Sequence, residues 1–295
     1  MIHWNPDIVA FSLGSYGVRW YSLCWCIGLL SVYLLEQRLY KEQKIEDEKF
    51  EPLFLYCFLG ILIGARLGHC IFYQPDIYLT SLKGVLSMVL PVHFAPNSWD
   101  WQYTGFEGLA SHGGTLGLML ALWLFVRKTG LNLMRVLDNI AIVTPICACA
   151  IRMGNLMNSE IIGKQTDLPW AFVFERVDMV PRHPGQLYEA IAYALFFVVG
   201  WIIYRRGLRT TDNGQQSTGR GLLSPKHVGT GFFFGLCIFL IFSARILIEY
   251  TKEAQVAFEQ DMIFNMGQLL SIPFVILGLY CMLGGKYCRM LGEKN

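Results

Sequence analysis

Val136-Leu-Asp-Asn-Ile-Ala-Ile-Val-Thr-Pro-Ile-Cys-Ala-Cys-Ala-Ile-Arg-Met-Gly-Asn-Leu-Met-Asn-Ser-Glu160 opens as a hydrophobic run and closes on a polar cluster. Its end, from Arg152 to Glu160, sets a guanidinium, two amides and a carboxylate where a membrane helix finishes. Even lenient insertion scales assign an arginine at the centre of a spanning helix a cost of roughly 2.5–3.5 kcal/mol. A charge retained there points to a functional site, and the rest of the chain should supply its partners.

The composition fits that reading. Of 295 residues, 54% are hydrophobic and only 16% charged, against about 25% charged in an average soluble domain. The class is an all-α, polytopic transmembrane helix bundle. A net charge of +2 gives no basic field for nucleic acid. Nearly all of the nine cysteines fall within apolar runs and read as small buried hydrophobes. There is no Cys-x-x-Cys pair with metal spacing, and the outward segments contain no cysteine, so neither a metal site nor a disulfide framework is expected. The start has no basic n-region followed by a short apolar stretch and a cleavage site, so no cleavable signal peptide is expected.

A spanning helix needs about 20 mostly apolar residues. Seven candidates meet this, near 18–36, 53–73, 108–126, 136–157, 186–204, 228–249 and 265–285. Gly84 to Pro96 is apolar but short and carries two prolines, which suits an interfacial or re-entrant piece. Lys and Arg set the orientation. Fifteen of the twenty-four lie in one set of connections, including Arg38, Lys41, Arg127, Arg205, Arg206 and Lys286. The other set holds Arg19, Lys83, Lys164, Arg176, Arg182 and Lys252. The N-terminus is therefore outside and the C-terminus cytoplasmic. The chain reads as one integral membrane domain over 1–295. Its extracytoplasmic loops lie near 74–107 and 158–185, with a flexible cytoplasmic loop near 205–227. Trp99, Trp101 and Trp170 lie in the outward segments, where aromatics meet headgroups. No internal repeat argues for an inverted-repeat transporter.

Three arginines remain inside spans. At 1.5 Å per residue, Arg66, Arg152 and Arg245 stand about 20, 24 and 25 Å from the cytoplasmic ends of their helices. In a core roughly 30 Å thick all three fall in the outer leaflet. Tyr21, His112, Tyr188, Glu189 and Gln268 open descending spans at the same side. This one-sidedness predicts a polar cavity open to the outer leaflet rather than a path through the membrane. Arginine suits phosphate through planar, bidentate hydrogen bonding, and phosphate at that depth belongs to a phospholipid headgroup. Glu160, Glu189 and Glu249 supply countercharge, with Arg245 and Glu249 spaced i,i+4 for direct pairing. His112 is a candidate to take a proton, histidine being the side chain most often used as a general base. Gly113 and Gly114 either let a ligand approach or serve close helix packing. No zinc-protease, nucleophile-elbow or phosphate-loop motif occurs.

These residues resemble the prolipoprotein diacylglyceryl transferases. The resemblance runs through Trp20-Tyr21, Gly64-Ala-Arg66, His112-Gly-Gly, Arg152-x-Gly-Asn-x-x-Asn-x-Glu160, Arg182-His-Pro-x-Gln-x-Tyr-Glu189, Arg245-x-x-x-Glu249 and Met266-Gly-Gln-x-Leu-Ser271, in order along nearly the whole chain. It implies a multi-pass enzyme of the bacterial cytoplasmic (inner) membrane with its active site towards the outer leaflet. The implied reaction moves the diacylglyceryl group of phosphatidylglycerol to the lipobox cysteine thiol of a preprolipoprotein signal peptide. A thioether forms and glycerol 1-phosphate leaves, with no metal or cofactor. His112, Arg152 and Arg245 are then the expected catalytic residues. Arg66, Arg152 and Arg245 hold phosphate. Asn155, Asn158 and Glu160 orient headgroup hydroxyls, while Tyr21, Glu189, Glu249, Gly113 and Gly114 complete the lipid site.

The chain departs from the family pattern at Glu107, Ile151 and Ile241; the last removes a frequent tyrosine hydroxyl. Two other classes compete. A transporter or flippase of an anionic phospholipid would need polar groups through the full membrane thickness, and a scaffold would use the arginines only as helix ties.

Overall fold

The computed structural model describes residues 1–14, 16–90, 92–94, 99–103, 108–212, 228–253 and 264–284. Glu107, most of the connection near 205–227 and the C-terminal Lys286 lie outside the described residues. The chain divides into two compact units, residues 40–133 and residues 1–39 with 134–295.

Each expected span coincides with a helix: α1 (Trp20–Glu42), α2 (Asp47–Phe72), α5 (Ser111–Thr129), α6 (Leu133–Met157), α7 (Gly185–Asp212), α8 (Phe232–Glu249) and α9 (Met266–Met282). By length and composition α2, α6, α7 and α8 can each cross a membrane; α9 is apolar but shorter. The all-α expectation needs correction, because short strands occupy the N-terminal segment and both long loops. These are β1 (Ile2–Trp4), β2 (Val9–Leu13), β3 (Tyr16–Arg19), β4 (Val92–Phe94), β5 (Trp101–Tyr103), β6 (Phe172–Phe174) and β7 (Pro181–Arg182). None exceeds five residues, too few for a period-2 pattern to stand out.

In the unit of residues 40–133, α2 and α5 meet along a stripe of small residues. Gly60, Gly64 and Gly68 face Gly113, Gly117 and Ala121. A Cβ at Gly64 would strike the Gly113 carbonyl oxygen, and one at Gly68 would lie 2.8 Å from the Gly113 Cα. In lipid such four-residue spacing lets backbones approach and gain dispersion contacts. The Ala110 N–H donates to the Ala65 carbonyl at 2.9 Å, which fixes the start of α5 on α2. The loop after α2 folds into α3 (Pro75–Tyr78) and α4 (Leu82–Val89), followed by the β4–β5 hairpin. Ser81 caps α4, its hydroxyl accepting from the Gly84 N–H at 3.0 Å.

In the other unit α1, α6, α7 and α8 share a core of Leu39, Ile142, Val143, Tyr204, Phe232 and Phe233. Helices α8 and α9 touch where Gly235 faces Gly278. The Asp138 carboxylate, fully buried, ties α6 to the start of α8. Its Oδ2 accepts from the N–H groups of Gly229 (2.8 Å), Thr230 (3.1 Å) and Gly231 (3.0 Å), and its Oδ1 from Phe234 (2.9 Å). These donors would otherwise be orphans of a helix N-terminus, and the negative charge suits the helix dipole. At the other end of the same helices a three-stranded sheet, in the order β1-β6-β7, covers the connections. Trp4 on β1 donates its indole N–H to the Leu156 carbonyl at 2.9 Å, satisfying the last turn of α6.

Candidate active site

Helix α6 ends in a sharp turn. Ser159 and Ile161 both take left-handed backbone conformations, at φ 57° each. A β-branched residue there is a genuine outlier, costing on the order of 1–3 kcal/mol. The turn brings Glu160 back over its own helix. Asn155 Nδ2 donates to Glu160 Oε2 at 3.0 Å and Asn158 Nδ2 to Oε1 at 3.0 Å. Gln186, fully buried on α7, donates to the Glu160 carbonyl oxygen. The expected group of Asn155, Asn158 and Glu160 is thus one hydrogen-bonded corner.

Arg152 joins this corner to a line of alternating charges. Its Nη1 reaches Asn155 Oδ1 at 3.4 Å, a long bond. Its Nε lies 2.7 Å from Glu189 Oε2. The other Glu189 oxygen accepts from Lys252 Nζ at 2.8 Å. The same ammonium lies 3.3 Å from Glu249 Oε2. Glu189, Glu249 and Lys252 are all buried, whereas 22% of the Arg152 side chain stays accessible. Buried Tyr193, one turn further along α7, is within electrostatic reach of Glu189, Arg152 and Arg245, and Arg245 lies one turn before Glu249 on α8.

The expected Arg245–Glu249 pair does not form. Arg245 is exposed, and Glu249 turns to Lys252 instead. Two glycines make the room. A Cβ at Gly267 would come 2.8 Å from Glu249 Oε1, and one at Gly154 would lie 3.0 Å from Tyr21 Cδ2. Tyr21 therefore packs against α6 within two residues of Arg152. Gln268 completes a capping box with Asn265 at the start of α9 and donates to the Ile246 carbonyl at 3.1 Å, anchoring the end of α8.

A second polar group closes the segment around residues 163–183. Arg182 donates to Asp178 through Nη2 at 2.5 Å and Nε at 3.0 Å, and pairs with Glu253. The bonds from Arg182 hold the Asp178 carboxyl below the usual carboxylate range, and those same carboxylates raise Arg182. Burial lowers His183, whose Nδ1 lies 3.1 Å from the Tyr188 hydroxyl. Lys164 N–H donates to the Thr251 carbonyl at 2.7 Å, stitching this loop to the end of α8.

Arg66 and the His112 motif belong to the unit of residues 40–133. The structure gives Arg66 a different engagement from the expected phosphate. Its Nη2 donates to the Ser87 carbonyl at 2.7 Å and to the Tyr78 hydroxyl at 3.3 Å. Its Nε donates to the Met88 carbonyl at 3.3 Å, and its guanidinium lies over the Tyr78 ring. Those carbonyls are the orphans at the C-terminus of α4, where a cation is favoured. His112 is exposed on the first turn of α5. Gly113 is required by the packing on α2. A Cβ at Gly114 would only make ordinary contact with Ala65, at 3.4 Å.

Lys252, Gln186 and Tyr193 are members of the cluster that sequence reasoning missed. Lys252 counts in the sequence only as an outward charge, although its i+3 spacing from Glu249 was a usable signal. Gln186 stands in the Arg182-His-Pro-x-Gln-x-Tyr-Glu189 motif but is given no role there, and Tyr193 carries no local signal of its environment.

The family model described as prolipoprotein diacylglyceryl transferase matches residues 8–284. A Bacteroides fragilis protein named phosphatidylglycerol–prolipoprotein diacylglyceryl transferase is 54% identical over 281 residues, covering 95% of this chain and 94% of its own length. Proteins of the same name from Tolumonas auensis and Vibrio cholerae are 40% and 34% identical, each over 284 residues, with at least 94% of this chain and 91% of the relative covered.

Proposed function

The chain belongs to the prolipoprotein diacylglyceryl transferase family, and from that premise we propose how its residues carry out the transfer. It moves the diacylglyceryl group of phosphatidylglycerol to a prolipoprotein. The observation that carries this is the family match over residues 8–284, which contains every member of the Arg152 cluster. The transporter and flippase reading is set aside, because the relatives are named as transferases.

The acceptor is the lipobox cysteine thiol of the signal peptide. A free thiol has a pKa of about 8.5 and reacts as the thiolate. The sulfur attacks the glyceryl carbon that bears the phosphate ester. The S–C bond forms as the C–O bond breaks, and the electron pair leaves on glycerol 1-phosphate. Negative charge grows on phosphate oxygens, where preorganised donors act most strongly. Arg152 and Arg245 supply those donors, being the cluster's two accessible guanidinium groups. Asn155, Asn158 and Glu160 orient headgroup hydroxyls, and Tyr21 lines the lipid site. His112 takes the thiol proton; its support is the His112-Gly-Gly signature and an exposed ring. Arg66 serves as a helix cap rather than a phosphate ligand.

The seven helices form one multi-pass domain of the bacterial inner membrane, N-terminus outside and C-terminus cytoplasmic, with the site towards the outer leaflet. Lys and Arg placement supports that orientation. Purified protein in vesicles containing phosphatidylglycerol should add a diacylglyceryl mass to the cysteine of a lipobox peptide. A peptide that stays unmodified beside folded protein would defeat the transferase reading. His112→Asn should slow single-turnover transfer by about 10²–10⁴-fold, and a rate near that of the parent would remove His112 as the base.

A further inference from the structure

We infer that Lys252 is a positioning residue that keeps Arg152 and Arg245 available to an anion by holding Glu189 and Glu249. The inference rests on the transferase reading for the identity of that anion.

Two carboxylates and three cations meet in this cluster. Glu189 and Glu249 are both nearly inaccessible, and a buried carboxylate without compensation is strongly disfavoured. With only two arginines in reach, each carboxylate would draw one of them into a closed pair. Arginine favours that outcome because its planar fork matches a carboxylate bidentately. The structure shows otherwise. Glu189 Oε2 lies 2.7 Å from Arg152 Nε but accepts no hydrogen bond, and the other oxygen accepts from Lys252, so no bidentate fork forms. Among the described residues, Glu249 forms an ion pair with Lys252 and none with Arg245, although Arg245 is one turn away on the same helix. Both carboxylates also meet Lys252, Glu189 by a hydrogen bond from the ammonium and Glu249 by an ion pair.

The ammonium is well placed for this. Lys252 is 5% exposed. Its backbone is fixed by a bridge to Gly163 and by its N–H donating to the Glu249 carbonyl at 3.1 Å. Its three donors span the two carboxylates, at 2.8 Å and 3.3 Å. An ammonium can bridge carboxylates on α7 and α8 as a compact point charge. The three cations exceed the two buried carboxylates by one charge, while the exposed Glu160 carboxylate is taken up by Asn155 and Asn158. That surplus is what a phosphate ester entering the site would meet.

Without Lys252 the same five positions would hold two cations and two buried anions. The carboxylates would close on the arginines, and the surplus would vanish. Phosphate affinity should fall for an electrostatic reason that a second substitution can reverse. Removing the charge of Glu249 as well restores the surplus, even though it deletes another partner from the cluster.

The test compares Lys252→Met with the double variant Lys252→Met/Glu249→Gln, both as full-length protein in vesicles of defined phosphatidylglycerol content. The readouts are KM for phosphatidylglycerol, kcat, and inhibition by added glycerol 1-phosphate. Lys252→Met should raise KM and weaken inhibition by about tenfold or more. The double variant should bring both back to within about threefold of the parent. A single variant with KM and inhibition within twofold of the parent overturns the inference. So does a double variant no better than the single one, since a purely packing role for Lys252 would not recover when a second contact is lost. Should Lys252→Met fail to fold, the double variant decides alone. Parent-like inhibition supports the inference and weakened inhibition overturns it. Parent protein that transfers nothing would fail the transferase reading instead. Binding of inorganic phosphate to the same variants would then decide the role of Lys252, by the same loss in the single variant and recovery in the double.

Discussion

Arg66 and Arg152 look alike in the sequence, each an arginine in the outer half of an apolar helix, and the folded protein uses them in opposite ways. Arg66 gives its Nε and Nη2 donors to neutral acceptors. Two backbone carbonyls and a tyrosine hydroxyl take its donors, and the side chain is buried. Arg152 meets a carboxylate and a long amide contact while part of it stays accessible. Neutral acceptors leave the positive charge in place while occupying those donors, and burial closes off access. A carboxylate shared with a lysine leaves donors and access together. The kind of partner and the exposure, more than position along an apolar helix, separate a helix cap from a candidate anion site.

Exchanging the charge for an amide at each position should split activity from stability. Arg152→Gln is expected to lower kcat/KM for lipobox-peptide lipidation by about 10²–10³-fold, the size of one lost oxyanion-type donor. Its thermal midpoint should fall less than that of Arg66→Gln, because Lys252 still pairs with Glu189. Arg66→Gln should do the reverse, losing about 2–4 kcal/mol of stability by leaving carbonyls of α4 unsatisfied, with specific activity of the folded fraction nearly retained. Thermal unfolding in detergent beside initial-rate kinetics checks both. Similar activity losses for the two variants would dissolve the distinction.

Asp138 sharpens the comparison from the anionic side. Like Arg66 it is a charge wholly committed to a helix terminus, here the N–H groups before and within the first turn of α8. Asp138→Asn keeps one acceptor oxygen and replaces the other by a donor facing donors. Stability should fall by about 1–3 kcal/mol, with KM for phosphatidylglycerol unchanged. A selective rise in KM would mean that the cap also sets where α8 carries Arg245.

What the sequence made legible follows the same division. Arg152, Asn155, Asn158 and Glu160 lie within one helix end and its turn, so spacing alone brings them together. Glu189 could be named as a countercharge because glutamate inside a span has few other uses. The carbonyls that hold Arg66 could not be foreseen. They belong to α4, a helix of eight residues inside a loop, and backbone groups leave no mark in composition. The β1–β6 pairing joins Ile2 to Phe172 across most of the chain, beyond any local pattern. Lys252 was hidden by its own plausibility as an outward topological charge.

The smallest effect concerns the polar clasp around Arg182, and its sign follows from two shifts. Asp178 is held below its ordinary value by bonds from Arg182, so the unfolded chain binds its proton more readily. Stability from this group is present above about pH 4 and is lost as pH falls through the lowered folded value. His183 is lowered by burial, so it too binds a proton more readily when unfolded. Its contribution is present above about pH 6.5 and declines as pH falls below that. Both groups weaken the clasp on acidification, His183 first. Asp178 is partly exposed, so solvent screening limits its share to about 1 kcal/mol or less. Amide exchange across residues 163–183 should therefore accelerate in two steps between about pH 7 and pH 3. His183→Gln should remove the upper step and Asp178→Asn the lower. Arg152 draws its partners from Glu189 and Asn155 rather than from this clasp, so exchange around Arg152 should stay flat through the upper step. A parallel rise there would mean that the clasp and the anion site open as one element, and that the site's rigidity is supplied by the loop as well as by Lys252.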